Sequence, residues 1–313
     1  MKFALKKSVS RSGLTAALSL AVLCAVPSLA QADALAQSIL SITGFKLTTP
    51  GTVPTNGGVS GVGSIDVNLN GVNAPTAITT FPAYSATNSL GAGYVPNTKI
   101  LGAVTNTFAG GLTQVTGNAF TPAGANAISE SVVSLKPAGT GFTNSLTGTN
   151  FEYTFALLQS SSVNIAFNAD LFMRAFLAGN PILVTNPLAN ATVNVNWSIS
   201  IQDASGTIFN WAPNGIIDQG SIFGGTETLD SFSLSRGFSA SRLLPTPTVV
   251  TNVGSFAAQS NVFGPGNYTL TINHKTDARA NVQVPEPGTL ALVGLSLVGL
   301  AAVGRRRAMR QAA

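Results

Sequence analysis

The chain has 313 residues, 45% of them apolar and only 9% Asp, Glu, Lys or Arg, so it is neither a charged disordered chain nor too short to bury a core. Its formal charge is +5, yet Lys2, Lys6, Lys7 and Arg11 lie at one end and Arg305, Arg306, Arg307 and Arg310 at the other, leaving residues 31–284 with 8 basic against 10 acidic residues, a net of −2. The basic balance belongs to the termini, and a nucleic-acid partner is not expected.

Residues 1–32 run from a cationic stretch through the apolar segment Gly13 to Val26 to the small-residue sequence Pro27-Ser28-Leu29-Ala30-Gln31-Ala32. That order predicts a secretory signal peptide, because an apolar run of 14 residues is short for a membrane span. Cys24, the sole cysteine, falls inside it. Removal of the segment leaves a chain without disulfide, thiolate metal site or cysteine nucleophile, to be held together by packing alone.

Residues 33–283 read as a single extracytoplasmic domain. The part from 49 to 127 is rich in Gly, Thr, Asn, Ala and Pro, which predicts short strands and long surface loops laid on the same core. Aromatic density rises further on, with ten Phe between Phe142 and Phe238. There, residues 191–202 alternate cleanly: Val193, Val195, Trp197, Ile199 and Ile201 fall on one face and Thr192, Asn194, Asn196, Ser198, Ser200 and Gln202 on the other. Period two is the mark of a half-buried antiparallel strand. The pattern recurs at Phe151, Tyr153, Phe155 and Leu157, at Val163, Ile165 and Phe167, and at Tyr268, Leu270 and Ile272. Asp170 to Leu177 reads as a strand or turn in preference to a helix. One-sided strands with Gly, Pro and Asn punctuation predict an all-β fold, an antiparallel, jelly-roll-like β-sandwich with long Gly/Thr/Asn-rich loops.

Catalytic and metal motifs are sparse. His274 is the single histidine, read as a solvated strand end after Asn273, and with no cysteine in the exported part a zinc or copper site is not expected. A glycan hydrolase needs two converging carboxylates, but Glu130, Glu152, Asp170, Asp203, Asp218, Glu227, Asp230 and Asp277 are scattered. Asp203-Ala204-Ser205-Gly206 and Asp218-Gln219-Gly220 are weak calcium-loop candidates that ordinary Asx-turns explain as well. Trp211 lies between a strand and the turn Pro213-Asn214-Gly215, a position from which a ring could stack on a sugar; packing under the loop is the competing reading, and the favoured one.

The tail reads Val284-Pro285-Glu286-Pro287-Gly288, then an apolar segment 289–304, then Arg305-Arg306-Arg307 and a basic end to 310. Pro285 and Pro287 keep Glu286 out of any following helix. The 16 residues of 289–304 would make a helix of about 24 Å, a short transmembrane span that arginine snorkelling can complete, and the arginines act as a membrane stop. This arrangement over residues 284–310 resembles the PEP-CTERM sorting signal, whose tail is recognised by the membrane protease-transpeptidase exosortase. The resemblance implies that Pro285, Glu286 and Pro287 are the recognised residues, that exosortase is a partner, and that the membrane is contacted transiently. The expected function is that of a non-enzymatic, cofactor-free surface or extracellular-matrix protein associated with exopolysaccharide or biofilm. A carbohydrate-binding module or adhesin using Trp211, and an exported glycan hydrolase, are the alternatives.

Overall fold

The computed structural model describes residues 32–50, 54–80, 84–103, 105–136, 141–179, 190–241 and 248–282, together with Gly294, Ser296, Leu297 and Gly299. Residues 32–178 and 186–283 form one compact unit. A second unit gathers Met1–Gln31, Gly179–Thr185 and Val284–Ala313, and its described positions 294, 296, 297 and 299 are helical. The expected signal peptide and transmembrane span otherwise lie outside the described residues.

The large unit is all β. In chain order its strands are β1 Ala32–Thr48, β2 Thr55–Leu69, β3 Val72–Asn73, β4 Ala77–Thr80, β5 Tyr84–Gly91, β6 Phe108–Asn118, β7 Gly124–Leu135 and β8 Gly141–Leu157. They continue with β9 Asn164–Gly179, β10 Asn190–Asp203, β11 Gly206–Trp211, β12 Ile222–Phe223, β13 Gly225–Asp230, β14 Arg236–Ser241, β15 Val249–Ser260 and β16 Gly266–Val282. Two antiparallel sheets result, one in the order β13-β15-β9-β1-β7-β6-β5, the other β12-β11-β10-β16-β8-β2-β3 with β14 on β10 and β4 on β2. Consecutive strands β7, β8, β9 and β10 alternate between the sheets, as do β14, β15 and β16.

The sheets meet through side chains that the alternation directs inward. Phe167 on β9 packs on Trp197 of β10 at 4.6 Å between ring centroids, on Trp211 at 5.7 Å and on Phe256 of its own sheet at 5.0 Å. Trp197 and Trp211 meet edge to face at 6.1 Å. Farther along β16 the aromatics give way to small residues and the two sheets hydrogen-bond directly. Ser38 of β1 donates to the Asp277 carbonyl at 3.2 Å, Ser131 of β7 donates to the Thr276 carbonyl at 3.0 Å, and the Ser129 and Thr276 hydroxyls lie 2.9 Å apart. Each hydroxyl is buried and needs such a partner.

All four alternating runs have their apolar members buried and lie in strands, apart from Val163, which directly precedes β9. Asp170 to Leu177 is strand, inside β9. Two readings are corrected. Within 49–127, β2 with 15 residues and β6 with 11 are longer than the expected short strands, whereas the connection from Gly91 to Phe108 is a long loop as expected. The small residues of β2 are explained by packing: a Cβ on Gly61 would stand 2.8 Å from the Phe151 ring of β8. His274 is not a solvated strand end, because β16 continues to Val282 and its alternation turns His274 inward opposite Trp197, at 1% exposure. Burial pushes its pKa down to about 3, against a weaker opposing hydrogen bond with the Leu40 backbone.

Trp197→Ala should destabilise the protein by roughly 3–5 kcal/mol in chemical denaturation, since it removes a large ring from a packed inter-sheet contact; a loss below about 1 kcal/mol would contradict this packing. His274 sets a second expectation. The unfolded chain takes up its proton near pH 6.5, the folded chain only near 3, so stability falls as pH drops through that window, by up to about 1.4 kcal/mol per unit. His274→Gln should flatten this limb of a stability-versus-pH curve, and an unchanged slope would refute the assignment.

Candidate functional site

Buried carboxylates mark two places where a loop is tied to the sandwich. The first is on the outer face of the β1–β7 sheet. β1, β6 and β7 present Leu35, Gln37, Phe108, Gly110, Glu130 and Val132 on that face, and residues 92–103 lie over them. Leu35, Phe108 and Val132 form an apolar cluster under Tyr94, Ile100 and Phe176. Beside it the Glu130 carboxylate accepts hydrogen bonds from Gln37 Nε2 at 2.9 Å, the Asn97 backbone N–H at 2.6 Å and the Tyr94 hydroxyl at 3.2 Å. Gln37 also donates to the Thr98 carbonyl and accepts from Ile100 N–H. Arg174 of β9 donates to the carbonyls of Ile100 and Gly102, and Lys99 pairs with Asp170 at 2.8 Å.

Burial raises the Glu130 pKa, and the three donors pull it back in part. Tyr94 is raised by the same burial and by the neighbouring Glu130 charge. The network satisfies loop backbone groups over an apolar floor, so its chemistry is that of an anchor. The sequence signal for it was a lone carboxylate inside Ser129-Glu130-Ser131-Val132-Val133, an ionisable group in a run that otherwise reads as buried. Gln37, Tyr94, Gly110 and Arg174 carried no such mark.

The second place brings together three of the eight candidate carboxylates. Loop 212–221 folds back onto β13. Glu227 accepts from Trp211 Nε1, from Ser221 Oγ at 2.7 Å and from Asp218 N–H at 2.8 Å, while its own N–H donates to Asp218 Oδ1 at 2.8 Å. Asp230 Oδ2 accepts from the N–H groups of Asn214 and Gly215 at 2.9 and 2.8 Å. The Asp230 pKa is raised, chiefly by burial and further by the Glu227 charge. Both oxygens of Glu227 are thus occupied by donors of its own chain, which fits a loop clamp and not an acid–nucleophile pair facing a cleft.

Trp211 is fully buried, with Phe167 and Trp197 against its ring and Glu227 on its N–H. Of the two readings of Trp211, packing under the loop, the favoured one, is the arrangement found, and the alternative sugar-stacking position is not exposed. The remaining carboxylates stand apart. Asp203 closes the β10–β11 turn by accepting from the N–H and hydroxyl of Ser205, whose hydroxyl bond is the largest cause holding its pKa down. Asp277 pairs with Arg279 at 3.0 Å. Among the described residues no group of three or more His, Cys, Asp or Glu side chains is arranged to hold a metal ion. An open groove of about 510 Å³ lies at one end of the β10–β16–β8 sheet, bordered by Thr154, Gln202, Asp203, Asn267 and Thr269. Pro285, Glu286, Pro287, Arg305, Arg306 and Arg307 lie outside the described residues.

Gly110 tests the anchored loop. A Cβ there would come within 2.7 Å of the Tyr94 ring. Gly110→Ala should lift the loop and cost roughly 1–3 kcal/mol, with faster tryptic cleavage after Lys99 as its signature; unaltered cleavage would show that the ring can move aside.

Residues 283–307 match the family model of the PEP-CTERM protein-sorting motif. No curated protein and no solved structure matches the chain. The match covers Pro285, Glu286, Pro287 and the three clustered arginines, and with it the chain is a PEP-CTERM domain-containing protein.

Proposed function

We propose that this is an exported, exosortase-processed protein of the cell surface or extracellular matrix, without catalytic activity of its own. The observation that carries the reading is the PEP-CTERM match at residues 283–307. In this reading residues 1–32 direct export and are removed, Pro285-Glu286-Pro287 is the element exosortase recognises, residues 289–304 hold the chain in the membrane until processing, and Arg305 to Arg307 keep the tail on the cytoplasmic side. The product is delivered to the envelope, the outer surface or the exopolysaccharide of a biofilm.

Two features of the large unit support the non-catalytic part. Its two antiparallel sheets, with strands passing between them, leave Asn196, Ser198, Thr271, Asn273 and Thr154 on the outer face of the β10–β16–β8 sheet, a polar surface with few charges suited to hydrated neutral glycans. Its most buried carboxylates, Glu130 and Glu227, accept hydrogen bonds from their own chain.

Replacing Pro285, Glu286 and Pro287 together with alanine should leave export intact and retain the protein in the membrane fraction. Mass spectrometry of wild-type extracellular material supplies the complementary measurement. A secreted protein that still ends at Ala313 would show that the tail is a permanent anchor and that the sorting reading is wrong.

A further inference from the structure

The strand that leads into the sorting motif is a central one. β16 lies between β8 and β10, and its pairing runs to its last residues: Val282 is opposite Gly141, and Asn281 is opposite Phe142 on one side and Asn190 on the other. Ala278, Ala280 and Val282 are buried. Only Gln283 and Val284 separate the last paired residue from Pro285.

An extended peptide is gripped through its main-chain donors and acceptors, and because Pro285 and Pro287 offer no N–H of their own, such a grip draws on the backbone that precedes them. On the N-terminal side of Pro285 those groups belong, after two residues, to a strand paired with both neighbours. A backbone N–H engaged in a ladder cannot serve a second partner without leaving the first, and a strand paired along both edges leaves an enzyme no free edge from which to align with it. The fold also marks where opening would stop. The cross-sheet hydrogen bonds from Ser131 to the Thr276 carbonyl and from Ser38 to the Asp277 carbonyl fix β16 just before Ala278, whereas the small side chains of Ala278 and Ala280 bring little packing to the rungs beyond.

We propose that the last rungs of β16, Ala278–Val282, must open from β8 and β10 for exosortase to engage Pro285-Glu286-Pro287, so that completion of the sandwich and processing of the tail compete for one strand. The proposal rests on the sorting reading given above. Chains whose β16 has not finished pairing are the better substrates, and a fully closed domain is processed at a rate set by local opening of these rungs.

The test uses the full-length exported protein with its exosortase. Asn190 and Asn281 are direct partners across an antiparallel pair, a separation of about 4.5–5.5 Å between Cα atoms that a disulfide can span. With Asn190→Cys and Asn281→Cys oxidised, processing should slow by about tenfold or more, and reductant should restore it. Inserting about nine Gly and Ser residues between Gln283 and Val284 should restore the locked chain as well, by giving the enzyme unpaired backbone. Should the cysteine pair fail to fold, the same insertion in the otherwise native chain is still decisive, since faster processing is expected there too. A locked chain processed at the wild-type rate, a locked chain that the insertion fails to restore, or an insertion in the native chain that brings no gain would each overturn the proposal. Wild-type processing of a chain with alanine at Pro285, Glu286 and Pro287 would instead remove the sorting reading itself, and the two failures are distinguishable.

Discussion

The structure depends on β16 being paired along both edges. Its 17 residues match β8 from Gly266 to Val282, and residues 269–281 match β10 at the same time. With both edges engaged, the strand has only its two faces left to vary, and the inward one carries Tyr268, Leu270, Ile272, His274, Thr276, Ala278 and Ala280 in sequence. Bulk falls along this series from ring to methyl. The opposite sheet follows the taper, offering Phe167 where it faces Trp197 and Trp211 and the hydroxyls of Ser38, Ser129 and Ser131 where it reaches Thr276. Where side chains are large the sheets are held by dispersion and apolar burial; where they are small the backbones come close enough to be bridged by single hydroxyls.

Legibility of the fold in the sequence follows the solvent. β8, β10 and β16 have one wet face, so polar and apolar residues alternate and the strands can be read directly. β1, β6 and β7 do not alternate over much of their length, because residues 92–103 cover the face that would otherwise be wet. From Ala34 to Leu40 of β1 every position is buried, and Gln37 and Ser38 point to opposite sides, one to the loop and one to the facing sheet. A strand buried on both faces whose polar members are used by hydrogen bonds looks, in one dimension, like a Ser- and Ala-rich connector. His274 was misread for a related reason: Lys275 and Asp277 beside it point outward and made the strand seem finished, although period two returns His274 and Thr276 to the interior.

The sorting element was legible because it depends on local chemistry. Proline, glutamate, an apolar run and clustered arginines act through order and spacing along the chain, and the family match over 283–307 falls on those residues. The carboxylate sites were not legible, because Glu130 reaches Gln37 across 93 residues and Tyr94 across 36, separations that only the strand order brings together. Trp211 shows where a local reading stops short. Packing under the loop was the favoured reading beside its Pro-Asn-Gly turn, but the partner that holds it there, Glu227 sixteen residues on, which accepts its N–H, could not be read locally.

Charge is divided between these two kinds of element. The large unit keeps few ionisable groups; its buried carboxylates Glu130, Glu227 and Asp230 are engaged by amide, hydroxyl, indole or backbone N–H donors, with the Lys99–Asp170 ion pair left partly exposed. An exposed pair of this kind contributes little, up to about 1 kcal/mol. Glu130 and His274 titrate in opposite senses. A raised carboxyl pKa makes stability fall as pH climbs above the ordinary glutamate range, whereas the depressed imidazole pKa makes it fall as pH drops below about 6.5. Between these limits the two effects oppose each other, so their pH dependence partly cancels in mildly acidic surroundings. A chain that has no disulfide to fall back on outside the cytoplasm, and that spends its clustered arginines on the sorting tail, is in this way left with a core whose stability rests on packing and on hydrogen bonds to uncharged partners.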